Sequence, residues 1–156
     1  PKLLMNDTGI NSGYMILQYT TAALASENKG LCFPSSADSI PTSLGQEDHV
    51  SMGSIGGRKA LQVIGNVEKI LAIELLTAAQ AFEFRKPLKS GIYLEEVHNA
   101  VRERVAFASK DRVFADDIEK GIAMIKDRTI LNVIDRVQAE HNISLKTKHS
   151  EEFENY

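Results

Sequence analysis

Cysteine and tryptophan are almost absent from this chain, and long apolar segments are missing as well. Cys32 is the only cysteine and there is no tryptophan, so no disulfide can form within the chain and a reducing compartment is expected. The densest apolar run, residues 70–73, is broken by Glu74 and is far too short to span a bilayer. No basic segment followed by an apolar one suggests a signal peptide. These absences predict a cytoplasmic protein.

Neither sign of charge predominates. The 18 basic and 21 acidic residues give a formal net charge of -3, which leaves no electrostatic footprint for nucleic acid or for an anionic membrane surface. The hydrophobic content of 43% and the charged content of 25% are ordinary for a globular protein. A length of 156 residues is that of one domain and is sufficient to bury a core.

Apolar residues recur at helical spacing, and no convincing alternating strand pattern or internal repeat is visible. Asn11 and Ser12 are acceptable N-caps for a first helix that ends near Lys29, with Gly30 in a left-handed conformation behind it. Prolines and serines between residues 31 and 44 then predict a loop. The fold class indicated is all-α.

A second helix, predicted from about Ser51 to Phe84, is the longest element. Its apolar residues first follow spacings of three and four, and after Ile70 almost no polar face remains. With 1.5 Å of rise per residue, this helix would be about 50 Å long. A helix that is apolar all round is buried on all sides, and a chain of this size cannot easily wrap it. We therefore expect it to be buried against other chains or against a further part of its own.

Shorter helices are predicted after a linker near Pro87. One has an apolar stripe within residues 94–105, and another begins at Asp116 or Asp117 and continues to about residue 137. The charged residues 146–152 predict a solvated, loose tail. The whole chain, residues 1–156, is thus expected to be a single helical region. Its long helices, within residues 1–85, would bear a site, and residues 86–156 would form shorter peripheral helices and the tail.

Polar and ionisable residues are crowded at the entrance to the long helix, where residues 46–53 read Gln-Glu-Asp-His-Val-Ser-Met-Gly. A polar cluster mounted on a rigid element is typical of a site. A carboxylate at a helix start, as at Glu47, is nevertheless more often a surface group that compensates the helix dipole. Gln46 also fits a capping box with Ser43, and Met15 by itself would be a residue that fills the core.

Other functional interpretations of the sequence are weaker. His49 lies beside Asp48 but lacks the spacing of metal ligands, so a structural histidine is preferred and no metal is expected. The glycine-rich residues 53–59 lack the Walker spacing and a preceding strand. Cys32 has no histidine near it in sequence, so a role as nucleophile is unsupported.

Four segments carry a resemblance to a known family. They are Asn-Ser-Gly-Tyr-Met-Ile at 11–16, Ala-Leu-Ala-Ser-Glu-Asn-Lys at 23–29, Asp-Ser-Ile-Pro-Thr-Ser at 38–43, and the cluster at 46–53. Through them the chain resembles the histidine ammonia-lyases, which belong to the aromatic amino acid lyases. The resemblance is nearly continuous from residue 9 to residue 85 and would cover only the C-terminal part of such an enzyme.

This resemblance implies the long-helix bundle of the C-terminal part of the lyase fold, in an enzyme that assembles as a homotetramer. It also implies elimination of ammonia from L-histidine to give trans-urocanate, which is the first step of histidine degradation. Family members build 4-methylidene-imidazol-5-one (MIO) from an internal Ala-Ser-Gly. Here Ala25-Ser26 is followed by Glu27 and Ala108-Ser109 by Lys110, and the chain opens at Pro1 without a methionine. We therefore expect a fragment that is inactive by itself.

Three residues are implied in the site by the resemblance. Glu47 occupies the position of an acidic residue that faces the substrate side chain, where a carboxylate can accept an imidazole N–H and assist proton movement. Phenylalanine-type members usually have an amide there, so Glu47 favours histidine as substrate. Met15 is implied in the pocket wall, where plant phenylalanine-type enzymes tend to have lysine. Gln46 could position Glu47 or serve only as a cap.

Some residues depart from the common family pattern, and two alternatives stay open. Leu44-Gly45 replaces Ala-Asn, Phe33 replaces histidine, and Gly56-Gly57 replaces Ala-Ala. These differences leave the enzyme class standing and weaken the substrate assignment slightly. The first alternative is a lyase or aminomutase of the same family that acts on tyrosine or phenylalanine. The second is a non-catalytic helical assembly module.

Overall fold

The computed structural model of this chain describes residues 1–37, 39–47 and 49–143. Five α-helices make up most of it, which confirms the all-α class. They are α1 (Met15–Leu31), α2 (Gly53–Glu83), α3 (Ile92–Arg104), α4 (Phe114–Lys126) and α5 (Thr129–His141), with short 3-10 helices at Lys2–Leu4 and Ser43–Gly45. The tail predicted at residues 146–152 lies outside the described residues.

The long helix α2 is the central element, because α1, α3 and α4 all pack on it and α5 packs on α3 and α4. Its 31 residues correspond to about 46 Å, so the sequence predicted this helix well. The core gathers where the C-terminal half of α2 meets its neighbours. Its buried members are Met5, Tyr14, Leu17, Ile73, Leu76, Ala79, Val101, Val105, Ala108 and Met124.

Close packing of α4 on α2 depends on a glycine. A Cβ atom added at Gly121 would lie 3.0 Å from the Cβ of Ala72, and Ala72 is fully buried. A small residue on each helix therefore lets the two backbones approach each other closely. Within the described residues, no helix has both the length and the apolar character needed to cross a membrane.

Three local predictions were wrong. α1 begins at Met15 with Tyr14 before it, rather than after Asn11 or Ser12, because Gly13 adopts a left-handed conformation with φ of 57°. Gly30 lies inside α1, which ends in a right-handed conformation at Cys32. Ser43 makes no capping box, since it has a φ of 54° in a 3-10 helix without a side-chain cap.

The predicted helix from Asp116 or Asp117 to residue 137 is in fact two helices. α4 begins at Phe114 and ends at Lys126, and Arg128 adopts a left-handed conformation with φ of 60° before α5. Asp127 stabilises this break, because its carboxylate accepts hydrogen bonds from the Thr129 backbone N–H at 2.9 Å and from Arg104 at 2.6 Å. The side-chain hydrogen bonds from Thr129 and Arg104 lower the pKa of Asp127 to about 2.

Candidate functional site

Gln46 and Glu47 lie together in a tight loop between α1 and α2. The 3-10 helix Ser43–Gly45 turns the chain, and the N–H groups of Gly45 and Glu47 both donate to the Thr42 carbonyl oxygen, at 3.1 and 3.4 Å. Gly45 permits the turn with a φ of 85°. The side chains of Gln46 and Glu47 are exposed, so the backbone fixes the loop and leaves both side chains at the surface of this chain.

A serine side chain fixes the base of this loop. Ser39 Oγ accepts the Val50 backbone N–H at 2.9 Å and lies 3.4 Å from the Val50 carbonyl oxygen, to which it can donate. This pairing joins the chain before the Ser43–Gly45 turn to the chain after it. The loop is therefore closed both at Thr42 and at Ser39, with Gln46 inside the turn and Glu47 paired with Thr42.

A groove of about 600 Å³ lies beside the loop, where the end of α1 meets the start of α2. Lys59 crosses it, donating to the Phe33 carbonyl oxygen with its ammonium 5.9 Å from the centre of the Phe33 ring. His49 and Cys32 also line the groove. Among the described residues, no group of three or more histidines, cysteines and acidic residues has an arrangement that could hold a metal ion.

Met15 lies elsewhere, in the first turn of α1, and is partly buried. A second groove of about 470 Å³ separates α1 from α2 and includes Tyr14 and Glu74 in its lining. Met15, Gln46 and Glu47 line neither groove. Within the part of the chain that the structure describes, Gln46 and Glu47 therefore share one exposed loop, while Met15 is partly buried at the start of α1.

Buried polar residues that the sequence analysis did not single out join the site-bearing elements. The Asn66 amide donates to Glu27 Oε2 at 2.7 Å and to Asn28 Oδ1 at 2.9 Å, which ties α1 to α2. Gln80, fully buried, donates to the carbonyl oxygens of Leu4 and Ala108 and accepts the Ala108 N–H. In the sequence, the sign that could have pointed to Gln80 is a polar amide in an otherwise apolar stretch of α2.

A second buried polar cluster joins α2 and α3. Glu83 Oε1 lies 3.0 Å from Arg102 Nε and 3.1 Å from His98 Nε2, and the His98 ring stacks on Phe82 at 4.7 Å. Burial lowers the pKa of His98, and Arg102 and Lys86 lower it further against the opposing effect of Glu83. Burial raises the pKa of Glu83, but hydrogen bonds and charge from Lys86 and Arg102 outweigh this and leave it lowered. An ionised Glu83 facing a neutral His98 is therefore the favoured state.

The sequence and the fold of this chain were compared with those of known proteins. A family described as aromatic amino acid lyase matches residues 1–103. The chain belongs to this family. Histidine ammonia-lyase from Natranaerobius thermophilus is 48% identical to it over 140 residues, which is 90% of this chain and 28% of that protein.

Solved structures of the lyase family share this chain's fold. Histidine ammonia-lyase from Trypanosoma cruzi has a TM-score of 0.83 at 43% identity, over 87% of this chain and 27% of that one. Tyrosine aminomutase from Streptomyces globisporus also has a TM-score of 0.83, at 36% identity, over 94% of this chain and 27% of that one. The chain thus spans about a quarter of the length of the relatives it matches.

Proposed function

We propose that this chain is part of an ammonia-lyase that converts L-histidine into trans-urocanate. The observation that carries the proposal is the similarity to histidine ammonia-lyases, which reaches 48% identity over 90% of the chain. The reaction breaks the bond between the α-carbon and nitrogen, removes a β-proton and releases ammonia. The base that takes this proton and the group that binds the substrate carboxylate belong to parts of the enzyme outside these residues.

Glu47 is proposed to recognise the imidazole of the substrate. Its backbone is paired with Thr42 in a loop that Ser39 also closes, and its side chain is exposed. Further protein can therefore cover the side chain without disturbing the core of this chain. A carboxylate accepts an N–H from the imidazole and favours its positive charge, which a benzene or phenol ring cannot use in this way. Glu47 would thus select histidine and assist movement of the imidazole proton.

Met15 and Gln46 are proposed to support this recognition. Met15 is partly buried at the start of α1, and its flexible thioether suits the wall of an aromatic pocket. Gln46 is adjacent to Glu47 in the same loop and has its backbone N–H fixed by the Ser43 carbonyl oxygen at 3.1 Å. Its amide would orient the Glu47 carboxylate through a hydrogen bond when the pocket is complete.

The family's MIO group supplies the electrophile of this reaction, and this chain's residues do not fit its formation. Ala25-Ser26 lies within α1, where the backbone is helical, and Glu27 follows it. Ala108-Ser109 is followed by Lys110, and Ala108 is held by Gln80 on both its N–H and its carbonyl oxygen. We infer that the tripeptide belongs to another part of the complete enzyme.

We also propose a homotetramer in the cytoplasm as the complete form. Between residues 61 and 71, α2 leaves large apolar side chains in water, with exposed fractions of 70% for Leu61, 55% for Ile64, 40% for Val67 and 46% for Leu71. These four residues, the α2 stripe, follow helical spacing. A contiguous apolar surface of this kind marks an interface, and a second copy of the same helix is the proposed cover.

The second candidate function is an aminomutase of the same family. It is favoured by the tyrosine aminomutase whose fold matches at a TM-score of 0.83 over 94% of this chain. An aminomutase moves the amino group between the α- and β-carbons of its substrate instead of releasing ammonia. Incubating the complete protein with L-histidine, L-tyrosine and L-phenylalanine, and separating the products, distinguishes the two. A third outcome, with no product, favours the non-catalytic assembly module.

Glu47→Gln in the complete enzyme tests the proposed role directly. Because the amide loses the negative charge but keeps the size, we expect kcat for L-histidine to fall by about 100-fold with the melting temperature nearly unchanged. Glu119→Gln, an exposed change on α4, is the matched control and should leave both quantities at the parent values. A Glu47→Gln enzyme with the parent's kcat would contradict the assignment.

A further inference from the structure

The turn that precedes α1 is held by a carboxylate from a distant part of the chain. Asp111 Oδ2 accepts the Ser12 backbone N–H at 2.7 Å, and Asp111 Oδ1 accepts the Gly13 N–H at 2.8 Å. In return, Asn11 Oδ1 accepts the Asp111 backbone N–H at 3.0 Å. Two consecutive backbone N–H groups in a turn form a concave site for an anion, and here a side chain of the same protein fills it.

Ring contacts reinforce the same junction. The Tyr14 and Phe114 rings lie 5.3 Å apart, and the Arg112 guanidinium lies 6.0 Å from the Phe114 ring. Arg112 is itself fixed by Asp117 at 2.7 Å and by the carbonyl oxygens of Ala106 and Phe107. The segment that carries Asp111 is therefore held on the α4 side and can act as a rigid support for the turn.

Gly13 makes this arrangement specific to the Asn-Ser-Gly sequence. Its φ is 57°, and a Cβ atom added to it would lie 2.6 Å from the Leu3 carbonyl oxygen and 2.9 Å from Met5 Cβ. Any other residue would strain the turn and collide with the N-terminal segment. Only glycine therefore allows the two N–H groups to face the carboxylate while the chain passes beneath Leu3.

The position of this turn also fixes the position of Met15. The Met15 backbone N–H donates to the Ser12 carbonyl oxygen at 3.3 Å, so the residue whose N–H is bound by Asp111 also holds the first residue of α1. Ionic hydrogen bonds of this kind are about twice as strong as neutral ones. A change at Asp111 would thus reach Met15 through one residue.

We propose that Asp111 is a positioning residue of the lyase, one that sets the start of α1 and thereby the place of Met15 in the substrate pocket. Asp111 lies beyond residues 1–103, the part matched by the family. The role of Met15 in the pocket rests on the proposed function, whereas the hydrogen bonds between Asp111 and the turn do not depend on it. The experiment therefore reads the two separately in the complete protein.

The first readout needs no activity. We expect Asp111→Ala to speed hydrogen exchange at the Ser12 and Gly13 amides by about tenfold and to shift the methyl NMR signal of Met15, assigned through Met15→Leu. Asp135→Ala, an exposed change on α5, is the matched control and should alter neither. Unchanged exchange or an unmoved Met15 methyl signal would overturn the proposal. Asp111→Asn, which keeps one acceptor oxygen, serves in the same measurements if the alanine variant does not fold.

The second readout separates positioning from simple loss of stability. We expect Asp111→Ala to raise KM for L-histidine about fivefold with kcat within about twofold, because Met15 contributes to substrate binding rather than to bond breaking. In a Met15→Ala background the same change should have little further effect, since neighbours that act together are not additive. Full additivity would overturn the link to Met15. An inactive parent would refute the proposed function instead and leave the decision on Asp111 to exchange and NMR.

Discussion

Individual buried polar residues join the separate segments of this chain. Gln80 is fully buried and contacts two distant backbone positions, Leu4 through one hydrogen bond and Ala108 through two. Without it, the N-terminal segment and the segment after α3 would leave carbonyl and N–H groups unpaired in the core, which is costly. One amide side chain therefore takes the place of regular secondary structure at the centre of the molecule.

Replacing Gln80 by leucine should destabilise the protein markedly. The change preserves the approximate size but leaves the Ala108 N–H and two carbonyl oxygens buried without partners, so we expect a loss of about 1–3 kcal/mol. The measurement is the urea midpoint of the complete protein at fixed concentration. Gln62→Leu, at an exposed position of the same helix, is the control. Equal midpoints for the two variants would show that the Gln80 hydrogen bonds do not contribute to stability.

At the scale of elements, periodicity predicted the existence and length of α2 but not where the other helices begin or end. The expected single helix from Asp116 or Asp117 to residue 137 has the same apolar spacing on both sides of the break, so periodicity alone could not reveal it. The break is made by Arg128 in a left-handed conformation and by hydrogen bonds to Asp127. Similarly, Asn11 and Ser12 form no cap because Asp111, about 100 residues away in sequence, binds the turn instead.

Arg128→Gly tests the strain at the break between α4 and α5. A residue with a side chain is disfavoured in the left-handed region by roughly 1 kcal/mol, a cost that glycine avoids. We therefore expect the melting temperature of the complete protein to rise by a few degrees. Arg136→Gly is the contrasting control, since it lies inside α5 and should destabilise by about 1 kcal/mol. A fall in melting temperature for Arg128→Gly would contradict the strain.

At the scale of the whole molecule, the site candidates and the exposed apolar surface lead to the same conclusion. The sequence singled out Glu47 and Met15 through family resemblance, but neither residue lines the two grooves beside α1 and α2, so the pocket proposed for them needs further protein. The apolar pattern of α2 after Ile70 predicts burial from outside the chain, but Ile73, Leu76 and Ala79 in that part are buried in this chain's own core, so the prediction is not confirmed there. The exposed apolar side chains lie earlier in α2, where Leu61 and Ile64 are exposed by 70% and 55%. Local spacing contains no information about which surface covers them, so the assembly itself could not be predicted from these residues.

The α2 stripe should hold the subunits of the complete enzyme together. Ile64→Lys introduces a charge into the middle of the stripe, and a buried, unpaired charge costs several kcal/mol, so we expect the proposed tetramer to dissociate into smaller species. Gln62→Lys, two residues away on an exposed polar position, should leave the mass unchanged. Light scattering after gel filtration, or native mass spectrometry, gives the mass of each variant. A charge on a contact between subunits lowers the stability of the assembly, whereas a charge on a contact within one subunit lowers only the stability of that subunit. An Ile64→Lys protein with an intact tetramer and a lowered melting temperature would therefore show that another part of the same subunit covers the stripe.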